Sequence, residues 1–195
     1  MFELLGPAPR RGRPVILVAV PGEAQAFGSR ATVVVTGVGK VAAATAASWV
    51  CLEHRPSTLL NVGTAGALRP EVAHGVVHEV GAVIQHDLDG RAIAALLGED
   101  PSPRLQLAVH GPVLATGDRF IASPAERDAL AAHADLVDME GYAVAAVAAR
   151  LAIPVRLAKT VSDDAGHDAA TNWADSLAPA SRTLAEWLDE VLPGC

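Results

Sequence analysis

The feature that most constrains the fold is an alternation of short β-branched apolar segments with longer alanine-rich ones. Segments such as VILVAV (15–20) and ATVVVT (31–36) are apolar at nearly every position. A strand wetted on one face would alternate polar and apolar residues, so these read as strands covered on both faces. The pattern predicts strands over 15–20, 32–36, 58–62, 76–85, 105–116 and 155–161. It predicts helices over 41–54, 125–132, 140–151 and 177–191. Strands interleaved with helices imply a layered α/β fold. Gly98 to Arg104 (GEDPSPR) reads as a surface turn, and Leu184, Trp187, Leu188 and Val191 form one face of the last helix, most simply a core face.

Composition narrows the class. A chain of 195 residues is large enough for one well-buried core, which predicts a single domain over 14–195. Residues 1–13 carry Arg10, Arg11 and Arg13 with no secretory apolar segment behind them, and read as a loose leader. The chain is 51% hydrophobic without a run of 18 apolar residues, which argues against a membrane span and for a homo-oligomer, a homodimer or higher. A net charge of -7 with scattered Lys and Arg excludes a basic nucleic-acid surface and favours a small neutral or cationic ligand. Cys51 and Cys195 form neither a disulfide framework nor a metal spacing, so a reducing cytoplasm is the expected setting.

Several motifs bear on chemistry. Thr36 to Ala42 (TGVGKVA) satisfies G-x-G-x-x-A between a strand and a helix, but the strand over 58–62 ends in Asn61-Val62-Gly63-Thr64 with no acid for a ribose hydroxyl. A P-loop fails because Val34 and Val41 stand where glycine and Ser or Thr are required. Gly63-Thr64-Ala65-Gly66 reads as a turn whose backbone N–H groups could approach an oxygen-rich ligand, or as a tight turn with no ligand. His74 and His78 are four apart around a strand and could face one side, with His86 further on, but spacing suggests no third ligand, so no metal is expected. Ser123 and Ser162 lack a G-x-S-x-G context.

Two acids remain. Glu140 opens an otherwise apolar helix, and Asp163 ends an apolar strand. A helix N-terminus stabilises an anion, and the carboxyl ends of strands are where open α/β sheets bind ligands. Spacing alone leaves open that Glu140 is an ordinary first-turn acid and Asp163 a turn former beside Gly166.

Taken in order, TGVGKVAAATAA, LLNVGTAGAL, VIQHDLD, LATGDRFI, VDMEGYAVA and LAKTVSDDAG resemble the nucleoside phosphorylase and nucleosidase superfamily, and most of all the methylthioadenosine/S-adenosylhomocysteine nucleosidases. The resemblance covers Val15 to Gly166. It implies a three-layer α/β fold with a twisted mixed sheet flanked by helices, assembled as a dimer in the hydrolases and often as a hexamer in the phosphorylases.

The resemblance also implies roles. Glu140 would bind the ribose 2′- and 3′-hydroxyls, with Met139 against the sugar. Asp163, steadied by Ser162, would meet N7 of the purine. Phe120 and Ile121 would sit at the base, and Thr64, Ala65 and Gly66 near the nucleophilic water. Glu23, in VPGEAQAF, matches the acid that serves as general base, although the family segment usually carries several acids there and this one carries Glu23 alone. Cleaving an N-glycosidic bond leaves positive charge on the sugar and negative charge on the base, which suits a protonated Asp163 opposite an ionised Glu23.

Purine phosphorylases need cations for phosphate. Hexameric ones carry an Arg where this chain has Asn61, and a second where it has Gln25 or Ala26, so the resemblance favours water as nucleophile. Futalosine hydrolases, also in the family, match Ser162-Asp163 less well because they carry S-N there. The chain is shorter than the common nucleosidase between Asp89 and Val113 and around Ser29, which are substrate-covering regions. The resemblance therefore speaks for a purine nucleoside more than for one 5′ substituent. Plant storage proteins of the same fold make a non-catalytic binding role the alternative of a different class. The expectation is a cytoplasmic purine nucleosidase needing no metal or cofactor.

Overall fold

The protein is described from a computed structural model covering residues 2–29 and 31–192. Cys195, used above in the cysteine count, lies outside the described residues, as does Met1 of the expected leader. In chain order the strands are β1 (Glu3–Leu5), β2 (Val15–Val18), β3 (Val33–Val35), β4 (Leu59–Ala67), β5 (Val77–Glu79), β6 (Ala82–Gln85), β7 (Leu105–Gln106), β8 (Val113–Thr116), β9 (Leu136–Asp138) and β10 (Val155–Asp163). The helices are α1 (Lys40–Trp49), α2 (Gly90–Leu97), α3 (Pro124–Ala131), α4 (Gly141–Arg150) and α5 (Ala169–Val191). A one-turn 3₁₀ segment, Pro21–Ala24, follows β2. No helix among the described residues is long and apolar enough to cross a membrane.

β2 shows why the apolar runs lack alternation. All four of its residues are buried. Val15 and Leu17 pack with Ala43, Ala46 and Ala47 of α1 and Val144 and Ala148 of α4. Ile16 and Val18 pack on the opposite side with Leu184, Trp187 and Leu188 of α5. Alanines dominate the α1 and α4 faces because two helices must share one side of the sheet, and small side chains let them approach it together. Each buried Val or Leu contributes on the order of 1.5–3 kcal/mol of transfer free energy. The layers are thus α1 and α4, the sheet, and α5, as the resemblance implies.

The strands form one ten-stranded mixed sheet in the order β1-β3-β2-β4-β9-β8-β6-β7, with β10 on the other edge of β4 and β5 beyond it. β4 is the axis, and all nine of its residues are buried. It runs parallel to β10 from Leu59 to Gly66. On its other edge β2 pairs only as far as Asn61, and β9 joins antiparallel from Gly66. The stretch between those two partners is open, and the candidate site is built there.

The observed elements correct several expectations. Gly63 to Gly66 is not a turn, because β10 pairs with β4 through those residues and keeps them extended. Within the expected leader, Glu3–Leu5 forms an edge strand antiparallel to β3. The strand expected over 76–85 divides into β5 and β6, and that over 105–116 into β7 and β8, where Gly81 and Gly111 cross. A Cβ on Gly81 would lie 2.7 Å from the Gly111 carbonyl oxygen, so the crossing admits no side chain. The last helix starts at Ala169, before Leu177, and carries Pro179 in its interior. The helix expected over 41–54 is α-helical only to Trp49 and finishes in a π turn, Val50–His54.

Candidate active site

Glu23 fills the open stretch of β4. Its 3₁₀ turn begins at Pro21, whose fixed φ suits a first helical position. The side chain folds back so that Oε2 accepts from the N–H of Ala19 at 2.9 Å and of Val20 at 3.4 Å. Oε1 accepts from the Thr64 N–H at 2.7 Å and its hydroxyl at 3.0 Å. The carboxylate takes the place of a neighbouring strand, satisfying an N–H between the ends of β2 and β9. This requires glycine at 63, where a Cβ would sit 2.6 Å from Glu23 Oε1.

Glu140 and Asp138 lie at the junction of β9 and α4. Glu140 is the N-cap residue of α4, one position before the first helical turn, and its Oε1 accepts from the Gly39 N–H at 2.8 Å. Asp138 ends β9. Its Oδ1 accepts from the Thr116 hydroxyl at 2.6 Å, and its Oδ2 from the Gly141 N–H at 2.9 Å. Oδ2 also pairs with Lys159 Nζ at 3.0 Å. Lys159 is 2% exposed, in the middle of β10. Burial lowers its pKa, but the carboxylates of Asp138, Glu140 and Glu23 together outweigh burial and the net direction is upward. Glu140 is pushed up to about 7, by burial first and the charge of Asp138 second, against the pull of Lys159 and the Gly39 N–H.

Asp163 closes β10 just past an irregularity in its register with β4. Oδ2 accepts from the Ser162 hydroxyl at 2.8 Å and Oδ1 from the Ala165 N–H at 2.9 Å. Burial raises its pKa and the neighbouring Asp164 adds to that, overcoming those two hydrogen bonds and the influence of His74. Asp164 itself is exposed and meets His74 Nε2 at 2.9 Å. The loops around Gly39 are tied together by Lys40, which pairs with Asp87 and with Asp118.

These groups surround one cavity of about 480 Å³. Every residue to which the resemblance assigns a role lies on its wall: Glu23, Thr64, Ala65, Gly66, Phe120, Ile121, Met139, Glu140, Ser162 and Asp163. Asn61 is elsewhere, inside the sheet. Its Nδ2 reaches the Leu17 carbonyl only at 3.5 Å, and its Oδ1 finds no partner among the described residues. Two participants were missed. Lys159 had a legible signal, since a lysine in a strand covered on both faces must meet an acid. Trp173 had none, because it falls before the expected start of the last helix. It lines the cavity from α5 with Ala170 and Ala174, and its Nε1 donates to Thr64 Oγ1 at 3.0 Å. No group of three or more metal-ligating side chains occurs among the described residues.

Comparison with known proteins adds an independent line. A 5′-methylthioadenosine/S-adenosylhomocysteine nucleosidase from Marinomonas sp. (strain MWYL1) is 26% identical over 182 residues, covering 82% of this chain and 79% of the relative. An aminodeoxyfutalosine nucleosidase from Campylobacter jejuni is 29% identical over 153 residues, covering 68% of this chain and 67% of the relative. The solved 5′-methylthioadenosine/S-adenosylhomocysteine nucleosidase of S. pneumoniae, with a transition-state inhibitor, matches at a TM-score of 0.79 and 25% identity over 90% of this chain and 96% of that one. The Helicobacter pylori nucleosidase has the same fold, with a TM-score of 0.82 at 21% identity over 95% of this chain and 99% of that one. A model of the phosphorylase superfamily matches residues 20–193, a span that takes in Glu23, Glu140 and Asp163, and the chain belongs to that superfamily.

Proposed function

We propose that this protein is a purine nucleosidase, an N-glycosyl hydrolase that releases free base and a ribose derivative from a nucleoside of the methylthioadenosine or S-adenosylhomocysteine type. The observation that carries the reading is the presence of Glu23, Glu140 and Asp163 on one cavity in different electrostatic settings. Both oxygens of Glu23 are met by donors, the setting of an acceptor. Asp163 is pushed toward its protonated form, the setting of a donor. In this reading Asp163 gives its proton to N7 as the C1′–N9 bond breaks and the electron pair leaves with the base. Water adds to C1′ and its proton passes to Glu23. Glu140 holds the ribose 2′- and 3′-hydroxyls, with Met139 under the sugar, and its charge stabilises the cationic ring. Phe120 and Ile121 bracket the base, Ser162 steadies Asp163, and Thr64 to Gly66 border the water. A positioned acid or base is worth roughly 10²–10⁴-fold in rate.

Water is favoured over phosphate as nucleophile. Among the described residues lining the cavity Arg119 is the one cation, and its guanidinium is engaged by Glu126. The named relatives are nucleosidases. The reading carries with it a homo-oligomer, supported by the exposed apolar side chains of Val41, Leu96 and Val109, a cytoplasmic setting and a role in methionine salvage. The test is to incubate the protein with methylthioadenosine, S-adenosylhomocysteine, adenosine and inosine, with and without phosphate, and to quantify free base beside an Asp163→Asn variant. Release without phosphate that is lost in the variant is the expected result. Release only with phosphate would make the protein a phosphorylase, and no release from any nucleoside would favour a binding role.

A further inference from the structure

We propose that Trp173 is a positioning residue for the general base, setting the direction of the proton shared by Thr64 and Glu23. The proposal rests on the nucleosidase reading for the role of Glu23, but the hydrogen bonding that supports it stands apart from activity. An indole N–H can only donate, and a hydroxyl carries one proton and two lone pairs. The contact from Trp173 Nε1 to Thr64 Oγ1, 3.0 Å, therefore uses one of those lone pairs and turns the hydroxyl proton away from the indole. At 3.0 Å on the far side is Glu23 Oε1, an acceptor. The chain runs one way, from indole to hydroxyl to carboxylate, and each donation strengthens the next.

What this does to Glu23 follows from the other contacts. Oε2 is fixed by the Ala19 and Val20 N–H groups and Oε1 by the Thr64 N–H, all backbone donors that do not rotate. The Thr64 hydroxyl is the one contact to the carboxylate with a free torsion. Without the indole it can swing to donate into the cavity, toward the position the attacking water needs, and Glu23 loses a donor while the water gains a competitor. With the indole in place, the second lone pair of Thr64 Oγ1 faces the cavity as an acceptor, so both Thr64 and Glu23 orient an incoming water by accepting from it. Trp173 can hold this position because it lies on α5 with Ala170 and Ala174, whose small side chains let the helix lie against the cavity.

Trp173→Phe keeps the ring and removes the donor. The expected result is kcat lowered roughly 3- to 10-fold, the scale of one net hydrogen bond, with KM within about twofold. In a Thr64→Val background the same change should cost nothing further, while Thr64→Ser, which keeps the hydroxyl, should restore the sensitivity. An equal loss in both backgrounds, or a rise in KM with kcat unchanged, would mean that Trp173 only packs against the site and would overturn the proposal. The ¹⁵N–¹H indole resonance of Trp173, assigned by its disappearance in Trp173→Phe, should move in both Thr64→Val and Glu23→Gln. A resonance unmoved by either overturns the proposal whether or not base is released, whereas a wild-type protein inactive on every nucleoside with the resonance responding would overturn the nucleosidase reading alone.

Discussion

Replacing Lys159 by Met is the most informative perturbation of the buried pair behind the cavity wall at Asp138. Lys159 is sealed from solvent, and its Nζ lies 3.0 Å from Asp138 Oδ2. Breaking a buried pair by removing one partner typically costs about 3–5 kcal/mol, because the other charge stays behind uncompensated. Asp138 would retain the Thr116 hydroxyl and the Gly141 N–H, which argues for the lower half of that range. For a domain of this size each kcal/mol moves Tm by about 2–4 °C, so the expected fall is roughly 6–16 °C. Urea unfolding followed by circular dichroism should show a lower midpoint at unchanged slope. The second variant, Lys159→Met with Asp138→Asn, removes the stranded charge and should recover at least half of the loss. Catalysis supplies another readout: Lys159 also holds down the proton affinity of Glu140, so the single variant should bind nucleoside more weakly at neutral pH with the deficit shrinking as pH rises. A single variant within about 1 kcal/mol of wild type, or a double variant as unstable as the sum of the singles, would refute the idea that the two charges are held against each other.

Glu140 also predicts opposite pH slopes for stability and binding. The folded protein holds a proton there up to about 7, whereas the ordinary value is 4.5, so the unfolded chain releases it first and this group's contribution to stability falls as pH rises between them. Nucleoside affinity, which needs the ionised carboxylate, should rise over the same interval, and thermal unfolding with and without methylthioadenosine from pH 4.5 to 7.5 will show whether the curves diverge. Gly63→Ala should lower kcat at least 10-fold with the fold retained, since its Cβ would lie 2.6 Å from Glu23 Oε1 and move that carboxylate. A crystal structure with Glu23 unmoved and activity intact would contradict this. Glu140→Gln keeps a hydrogen-bonding group for the ribose hydroxyls but removes the charge beside the cationic sugar, so it should lower kcat more than it raises KM, which steady-state kinetics on the preferred nucleoside will decide.

Much of the fold was legible because the two helical layers leave no wet face on β2, so Val15 to Val18 had to be apolar throughout. Five of the six ordered motifs carried cavity residues for the same reason that a family resemblance works: each lies at a strand end or loop that reaches the wall, whereas VIQHDLD contributes no lining residue. What stayed hidden was set by pairing across the chain. β1 and β9 are three residues each, too short for any periodicity, and exist because β3 and β4 offer them edges. Gly63-Thr64-Ala65-Gly66 has the composition of a turn and is extended only because β10 lies alongside. Glu23 was found through resemblance, yet what holds it is the interval on β4 between Asn61 and Gly66, which no local pattern announces.

The sealed pair under the cavity also bears on how the molecule assembles. Asp138 arrives on β9 and Lys159 on β10, strands that join opposite edges of β4. If β10 docked along β4 before β9, the lysine would be buried without its acid, and if β9 docked first, the acid would be buried without its lysine, each at a cost of a few kcal/mol. Each half-assembled species carries a desolvated charge, which raises its free energy and keeps it sparsely populated. The pair therefore favours the two strands closing on β4 together, which also brings Asp138 and Asp163 to the cavity wall. Disrupting the pair would therefore disturb the centre of the sheet and the cavity wall at Asp138 together.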